Sequence, residues 1–165
     1  MSQKHEANIT QSDSEHNIDE ADIRDARSRF LNQVYDEKTF TFTAEQFADY
    51  ASACGETAPC FTDPAHPDFQ AAPGFTCSLH PNKRMPDGYP RFNGLGMDAG
   101  KAVTVHKPIR PGVTLTGRTH VHDIYTKSGR SGRMVFSLIR MDVYDGDTLL
   151  SSADTSIVIR ERPAA

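Results

Sequence analysis

Residues 99–161 alternate between apolar and polar side chains, and this more than anything else limits what the chain can fold into. In residues 114–125, TLTGRTHVHDIY, an extended backbone puts Leu115, Thr119 and Val121 on one face and Arg118, His120 and His122 on the other. Residues 134–144, MVFSLIRMDVY, alternate in their second half, with Ile139, Met141 and Val143 against Arg140 and Asp142. Their first half is apolar on both faces, which predicts cover on both sides there. AGKAVTVHKPI (99–109) ends at the turn RPG, KSGRSGR (127–133) reads as a hairpin connection, and DGD (145–147) makes a tight turn. TLLSSADTSIVIRE (148–161) closes the chain as another strand. An antiparallel meander with one apolar face needs something to bury that face, and the upstream residues have to supply it.

Upstream, residues 1–18 are polar and acidic, without apolar periodicity, and read as a disordered tail. From Asp19 onward, Ile23, Ala26, Phe30 and Val34 fall at helical spacing, so a helix is expected that ends before YDEKT. KTFTF (38–42) alternates as a short strand. Thr43 followed by Gln46 is a capping box opening a helix with Phe47, Tyr50, Ala51 and Cys54 on one face, stopped at Gly55. Residues 56–94 are dense in Pro and Gly; no long strand can cross them, although a short helix fits GFTCSL (74–79). So long an irregular segment inside one domain lines a site or wraps a partner. The expected fold is α+β, a helix packed on one face of an antiparallel sheet, in a single domain over residues 19–162.

With 165 residues the chain is sized for one domain. A net charge of −4 gives no reason to expect nucleic acid. No apolar run approaches the roughly 18 residues that span a bilayer, and the N-terminus has no hydrophobic signal segment, so no membrane role and a cytoplasmic location are expected. The cysteines, Cys54, Cys60 and Cys77, lack metal-finger spacing and read as reduced, partly buried thiols.

Four stretches in this order carry a resemblance: FTFTAEQFADYASACGETAPCFTD (40–63), AAPGFT (71–76), VTVHKPIRPGVTL (103–115) and DIYTKSGRSGRMVF (123–136). Together they resemble the MaoC-like dehydratases, of hot-dog fold, and within them the N-terminal, fatty-acid-synthase-type dehydratase half. In the R-specific enoyl-CoA hydratases of that superfamily, a loop after the helix carries Gly-Asp-x-Asn-Pro-x-His. There, Asp and His act on a water that adds across the α,β double bond of an acyl thioester, one proton leaving water and one reaching the α-carbon. In this chain Gly55 and Pro59 match, but Glu56 stands at the Asp position, Ala58 at the Asn position and Phe61 at the His position. A Phe exchanges no proton, and His66 follows only after Pro64. Val113 stands where the family has Asp after RPG. The resemblance therefore implies a loop that keeps the scaffold without the acid–base pair, as in the non-catalytic, pocket-forming half of a two-hot-dog hydratase or dehydratase. Its substrate would be an acyl-CoA or acyl-carrier thioester. The alternatives are a homodimeric hydratase using Glu56 as base, a non-enzymatic acyl-CoA-binding module and, with nothing in its favour, a thioesterase.

Each candidate residue also has a plain structural reading. Glu56 is a base, a solvated carboxylate after a helix, or a partner for loop amides. Phe61 is pocket wall or core. Lys127, Arg130 and Arg133 share one hairpin and suit the phosphates of CoA, or simply keep a turn soluble. Gly74, Phe75 and Thr76 could open a helix whose free amides face the thioester carbonyl, or form a Pro-Gly turn before a core helix. His106, His120 and His122 invite a metal, but no carboxylate or thiol completes a set, and an exposed strand face is expected instead. No cofactor and no metal are expected. A lone hot-dog sheet leaves an edge unpaired, so a homodimer or a heterodimer with a second hot-dog subunit is expected.

Overall fold

The strand-forming residues make one five-stranded sheet in a computed structural model that describes residues 19–130 and 132–161. The tail expected over residues 1–18 lies outside the described residues. The strands are β1 (Val34–Thr41), β2 (Gly94–Val105), β3 (Thr114–Gly129), β4 (Gly132–Asp145) and β5 (Thr148–Glu161), in the order β1-β3-β4-β5-β2. Every pairing is antiparallel. Three helices, α1 (Glu20–Phe30), α2 (Ala44–Ala53) and the short α3 (Pro59–Thr62), and a 3-10 turn at Pro73–Ser78 complete the described elements. This is the α+β, hot-dog arrangement expected from the sequence. No helix among the described residues is long and apolar enough to cross a membrane.

Local chemistry sets the helix ends. The Thr43 side chain accepts from the Gln46 amide while Gln46 accepts from the Thr43 amide, the expected capping box. α2 ends at Gly55, whose φ of 76° suits glycine, and the Gly55 and Glu56 amides reach back to the Ser52 and Ala51 carbonyls as a Schellman closure. Helix α1 stops earlier than its periodicity predicts. Leu31 turns extended and Asn32 takes a φ of 58°, a region Asn tolerates, donating its amide to the Val121 carbonyl at 2.8 Å. Val34 therefore opens β1, exposed, instead of closing the helix.

Two strand expectations are also corrected. β2 begins at Gly94, five residues before Ala99, and is bulged between Asp98 and Lys101; its glycines hide the alternation. Gly94 is required there, since a Cβ would lie 2.2 Å from the Arg160 carbonyl oxygen. The β3–β4 ladder runs out to Gly129–Gly132, so Lys127, Ser128 and Arg133 belong to strands and the turn is tighter than KSGRSGR suggests. Around Phe136 the apolar outer face of β4 is covered by its own neighbours. Tyr125 stacks on Phe136 at 4.9 Å and 5°, and Lys127 lies over both rings.

Two cores share one face of the sheet. The first joins Phe47 of α2 and Phe75 of the 3-10 turn to Leu115, Met141, Val143 and Leu150. The second joins Ile23 and Ala26 of α1 and Phe92 of the long loop to Val121, Ile124, Val135 and Ile139. They meet where Ile139 and Met141 stand two residues apart on β4. Phe75 packs edge-on against Phe42, Phe47 and Tyr50, with centroids 4.9, 4.7 and 5.2 Å away.

Truncating the most buried ring of the first core tests this packing. Phe47→Ala is expected to lower stability by about 3–5 kcal/mol in urea unfolding, which would shift the midpoint with little change in the slope.

Candidate functional site

Between the two cores the sheet face is left uncovered, and a cavity of about 360 Å3 opens there, within the size range of small-molecule sites. Ile139, Thr155 and Ile157 form its sheet wall. Gly96, Met97, Asp98 and Lys101 of β2 form a second wall, and Leu79, His80, Pro81 and Arg84 of the irregular loop form the third. The loop is held by β1. Lys38 donates to the His80 carbonyl at 3.0 Å, the Asn82 amide donates to Asp36 Oδ2 at 2.9 Å, Asn82 Nδ2 donates to the Glu37 carbonyl at 3.4 Å, and the Tyr35 hydroxyl donates to the Arg84 carbonyl at 2.9 Å. From the other wall Lys101 Nζ donates to the Cys77 carbonyl at 2.8 Å.

The cavity combines an apolar floor with a polar mouth. His80, Arg84 and Lys101 bring cationic or titratable nitrogen to it, and the Arg84 guanidinium has no partner among the described residues. Asp98 also lines it, with one carboxylate oxygen accepting from the Gly100 amide at 2.7 Å. A smaller recess of about 30 Å3 adjoins the cavity, and both are lined by Leu79, Pro81, Ile139 and Thr155. Burial pushes the Cys77 thiol up, with the Lys101 charge opposing. Burial first, and then the neighbouring Cys54 thiol, push the Tyr50 hydroxyl up to about 12.

The residues singled out from the sequence fall in several places. The Glu56 amide closes α2, and its half-buried carboxylate has neither hydrogen bond nor ion pair among the described residues. Phe61 is half-buried in α3, a helix that packs on α2. Neither lines the cavity. Gly74 packs under Tyr50, whose hydroxyl would sit 3.0 Å from an added Cβ. Phe75 belongs to the first core, and Thr76 lines the recess. The row of free amides expected at 74–76 is reduced, because Pro73 has no N–H and the Phe75 amide bonds to the Ala72 carbonyl. Lys127, Arg130 and Arg133 lie at the β3–β4 hairpin, where Lys127 covers Tyr125 and Phe136 and Arg133 pairs with Glu20 at 2.5 Å. Cys54, placed on the apolar face of α2 by spacing, is its exposed C-cap.

His120 and His122 lie on a half-buried strand face among interlocking polar side chains, whereas His106, just past β2, is exposed as expected. Arg140 donates two hydrogen bonds to Asp154, at 2.7 and 2.8 Å. Ser152 Oγ donates to Asp142 at 2.6 Å and lies 3.3 Å from His106 Nε2, while His120 Nδ1 is 3.9 Å from Asp142. His120 and His122 rings meet edge to face at 5.7 Å. Among the described residues no group of three His, Cys, Asp or Glu side chains is placed to hold a metal.

Sequence reasoning missed Arg84, His80 and Lys101. The length of the irregular 56–94 segment pointed to the right region, and the basic run HPNKR (80–84) was the finer signal.

The family model described as FAS1-like, dehydratase domain region, matches residues 12–151. No curated protein matches the chain in sequence. In fold, the chain is similar to the ChsH1-ChsH2 complex from Mycobacterium tuberculosis, with a TM-score of 0.63 and 16% identity over 88% of this chain and 94% of that one. It is also similar to a MaoC-like dehydratase from Phytophthora capsici, at a TM-score of 0.61 and 24% identity over 84% of this chain and 51% of that one. A third similarity is to the HadBC (3R-hydroxyacyl-ACP dehydratase) complex from Mycobacterium tuberculosis, at a TM-score of 0.52 and 18% identity over 78% and 99%.

Burial holds the His120 imidazole below its ordinary value of 6.5, outweighing the opposing charge of Asp142, while His122 and Arg140 add to the lowering and Asp154 opposes it. The unfolded chain then binds the proton first as pH falls, so stability is full above about 6.5 and is lost between there and the lower folded value. Urea unfolding at pH 7.5 and 5.5 is expected to show a larger acid loss for the native chain than for His120→Gln.

Proposed function

The chain belongs to the FAS1-like dehydratase family and has the MaoC-like hot-dog fold, and on that premise we propose that it is the pocket-forming, non-catalytic half of a two-hot-dog enoyl-thioester hydratase or dehydratase. The observation that carries this reading is that the cavity's outer wall is β2, an edge strand with β5 on one side and no described strand on the other. β2 is twelve residues long and exposes Leu95, Met97 and Val105. A long apolar edge of this kind is a template for pairing unless it is covered. A second hot-dog subunit, adding its own edge strand there, would continue the sheet and close the cavity.

The substrate in this reading is an acyl thioester of CoA or of an acyl carrier. Its acyl group enters between the cores, and the carrier's phosphates meet Arg84 and Lys101, with His80 beside them. An unpaired guanidinium at a cavity mouth suits a phosphate better than the hairpin cations, two of which have other contacts. Hydration adds the water hydroxyl to the β-carbon and a proton to the α-carbon; dehydration reverses both. The second subunit supplies the acid and base. This chain binds the acyl group, orients it and keeps bulk water away. A second reading is a homodimeric hydratase with Glu56 as base, favoured by the Glu56 carboxylate, which has no partner among the described residues.

The test is to purify the tagged chain from its host, identify any second subunit by native mass spectrometry, and assay enoyl-thioester hydration. Turnover is expected from the two-chain complex and not from this chain alone. A Leu95→Lys, Met97→Lys double variant is expected to abolish both complex and turnover. In the complex, Arg84→Ala is expected to raise KM about tenfold, as for loss of one charge-assisted contact. Glu56→Gln and His80→Asn are expected to leave kcat within about twofold, whereas a true acid–base residue would lower it by about a hundredfold or more. Turnover by a homodimer that Glu56→Gln abolishes would overturn the assignment in favour of the second reading.

A further inference from the structure

The recess adjoining the cavity is lined by a polar group without a partner among the described residues. Thr119 on β3 is wholly buried, and its Oγ1 has no hydrogen-bond partner among the described residues. It lines the recess together with Thr76, Cys77, Met141 and Ala153. The nearby Thr76 and Ser151 hydroxyls are paired with each other at 3.0 Å. A buried hydroxyl left unpaired is costly, and at this strand position valine would fill the same shape without that cost. About 30 Å3 accommodates one water-sized group. Along β5 the floor passes from Ile157 through Thr155 to Ala153, about 13 Å at strand rise.

Resting on the acyl-thioester reading above, we propose that Thr119 receives an oxygen on the buried end of the acyl group, so that the preferred substrates carry a hydroxyl or keto group remote from the thioester. The mouth cations hold the carrier, the apolar floor of Ile139 and Ile157 takes the hydrocarbon, and Thr119 reads the far end. When empty, the recess has room for one water bonded to Thr119, and the ligand oxygen would displace it while keeping that hydrogen bond. A ligand with a wholly apolar end displaces that water and leaves Thr119 unpaired, so it binds less well.

The experiment uses the protein as purified, with any second subunit attached, and two acyl-CoA probes of equal length, one carrying a terminal hydroxyl and one not. Calorimetric titration is expected to show about tenfold tighter binding of the hydroxylated probe, equivalent to about 1.4 kcal/mol. Thr119→Val, with circular dichroism to check its fold, is expected to lose this preference while binding the plain probe at least as tightly. Thr119→Ser is expected to retain the preference. Equal binding of the two probes by the native protein, or a preference unchanged in Thr119→Val, overturns the proposal and leaves the recess a water site, with the acyl-thioester reading intact. If neither probe binds the native protein, both readings fall together.

Discussion

The edge-on packing of Phe75 against Phe42, Phe47 and Tyr50 is the interaction on which the rest of the site depends. It fixes the 3-10 turn to α2, and the turn carries Thr76 and Cys77 over the recess and delivers Leu79 to the cavity wall. Each such ring pair contributes roughly 0.5–1.5 kcal/mol beyond burial alone. Three of them converge on one residue in a segment that has no strand ladder to hold it. Gly74 belongs to the same arrangement, because an added Cβ would sit 3.0 Å from the Tyr50 hydroxyl and push it back slightly.

The sheet was legible because β3, β4 and β5 have one dry face, and alternation is the direct record of that. The Thr43–Gln46 box was equally legible, since capping needs two named side chains at a fixed distance. β2 was harder to read: its glycines and bulge break the period, and an edge strand that is exposed on both faces has no dry side to reveal. The end of α1 was missed for a different reason. Val34 continues the helical spacing by coincidence, and the turn at Asn32 depends on a hydrogen bond to Val121, 89 positions away in the chain, which no local pattern records.

The candidate site was legible as a region and not as residues. A long irregular segment inside a compact fold announces a site, but which of its side chains face inward depends on hydrogen bonds to β1 that are set by the tertiary structure. Motif reasoning led instead to Glu56 and Phe61, which sit where a catalytic loop would begin, at the end of α2. The structure separates that position from the cavity of this chain. In a two-subunit enzyme a motif position can face the neighbouring subunit's space, so a motif that has lost its chemistry and a cavity that lacks an acid–base pair are consistent within one division of labour.

The two cores adjoin on the sheet, where Ile139 and Met141 stand two residues apart on β4. Each is a separately packed unit, and the cavity occupies the seam between them. Regions of this kind open locally at less cost than a core does. A small shear of the α1 unit against the α2 unit would widen that seam without breaking into either core. On the acyl-thioester reading proposed above, the breadth of acyl groups tolerated would then be a mechanical property of the seam, open to tuning by substitutions in α1 that never touch the guest.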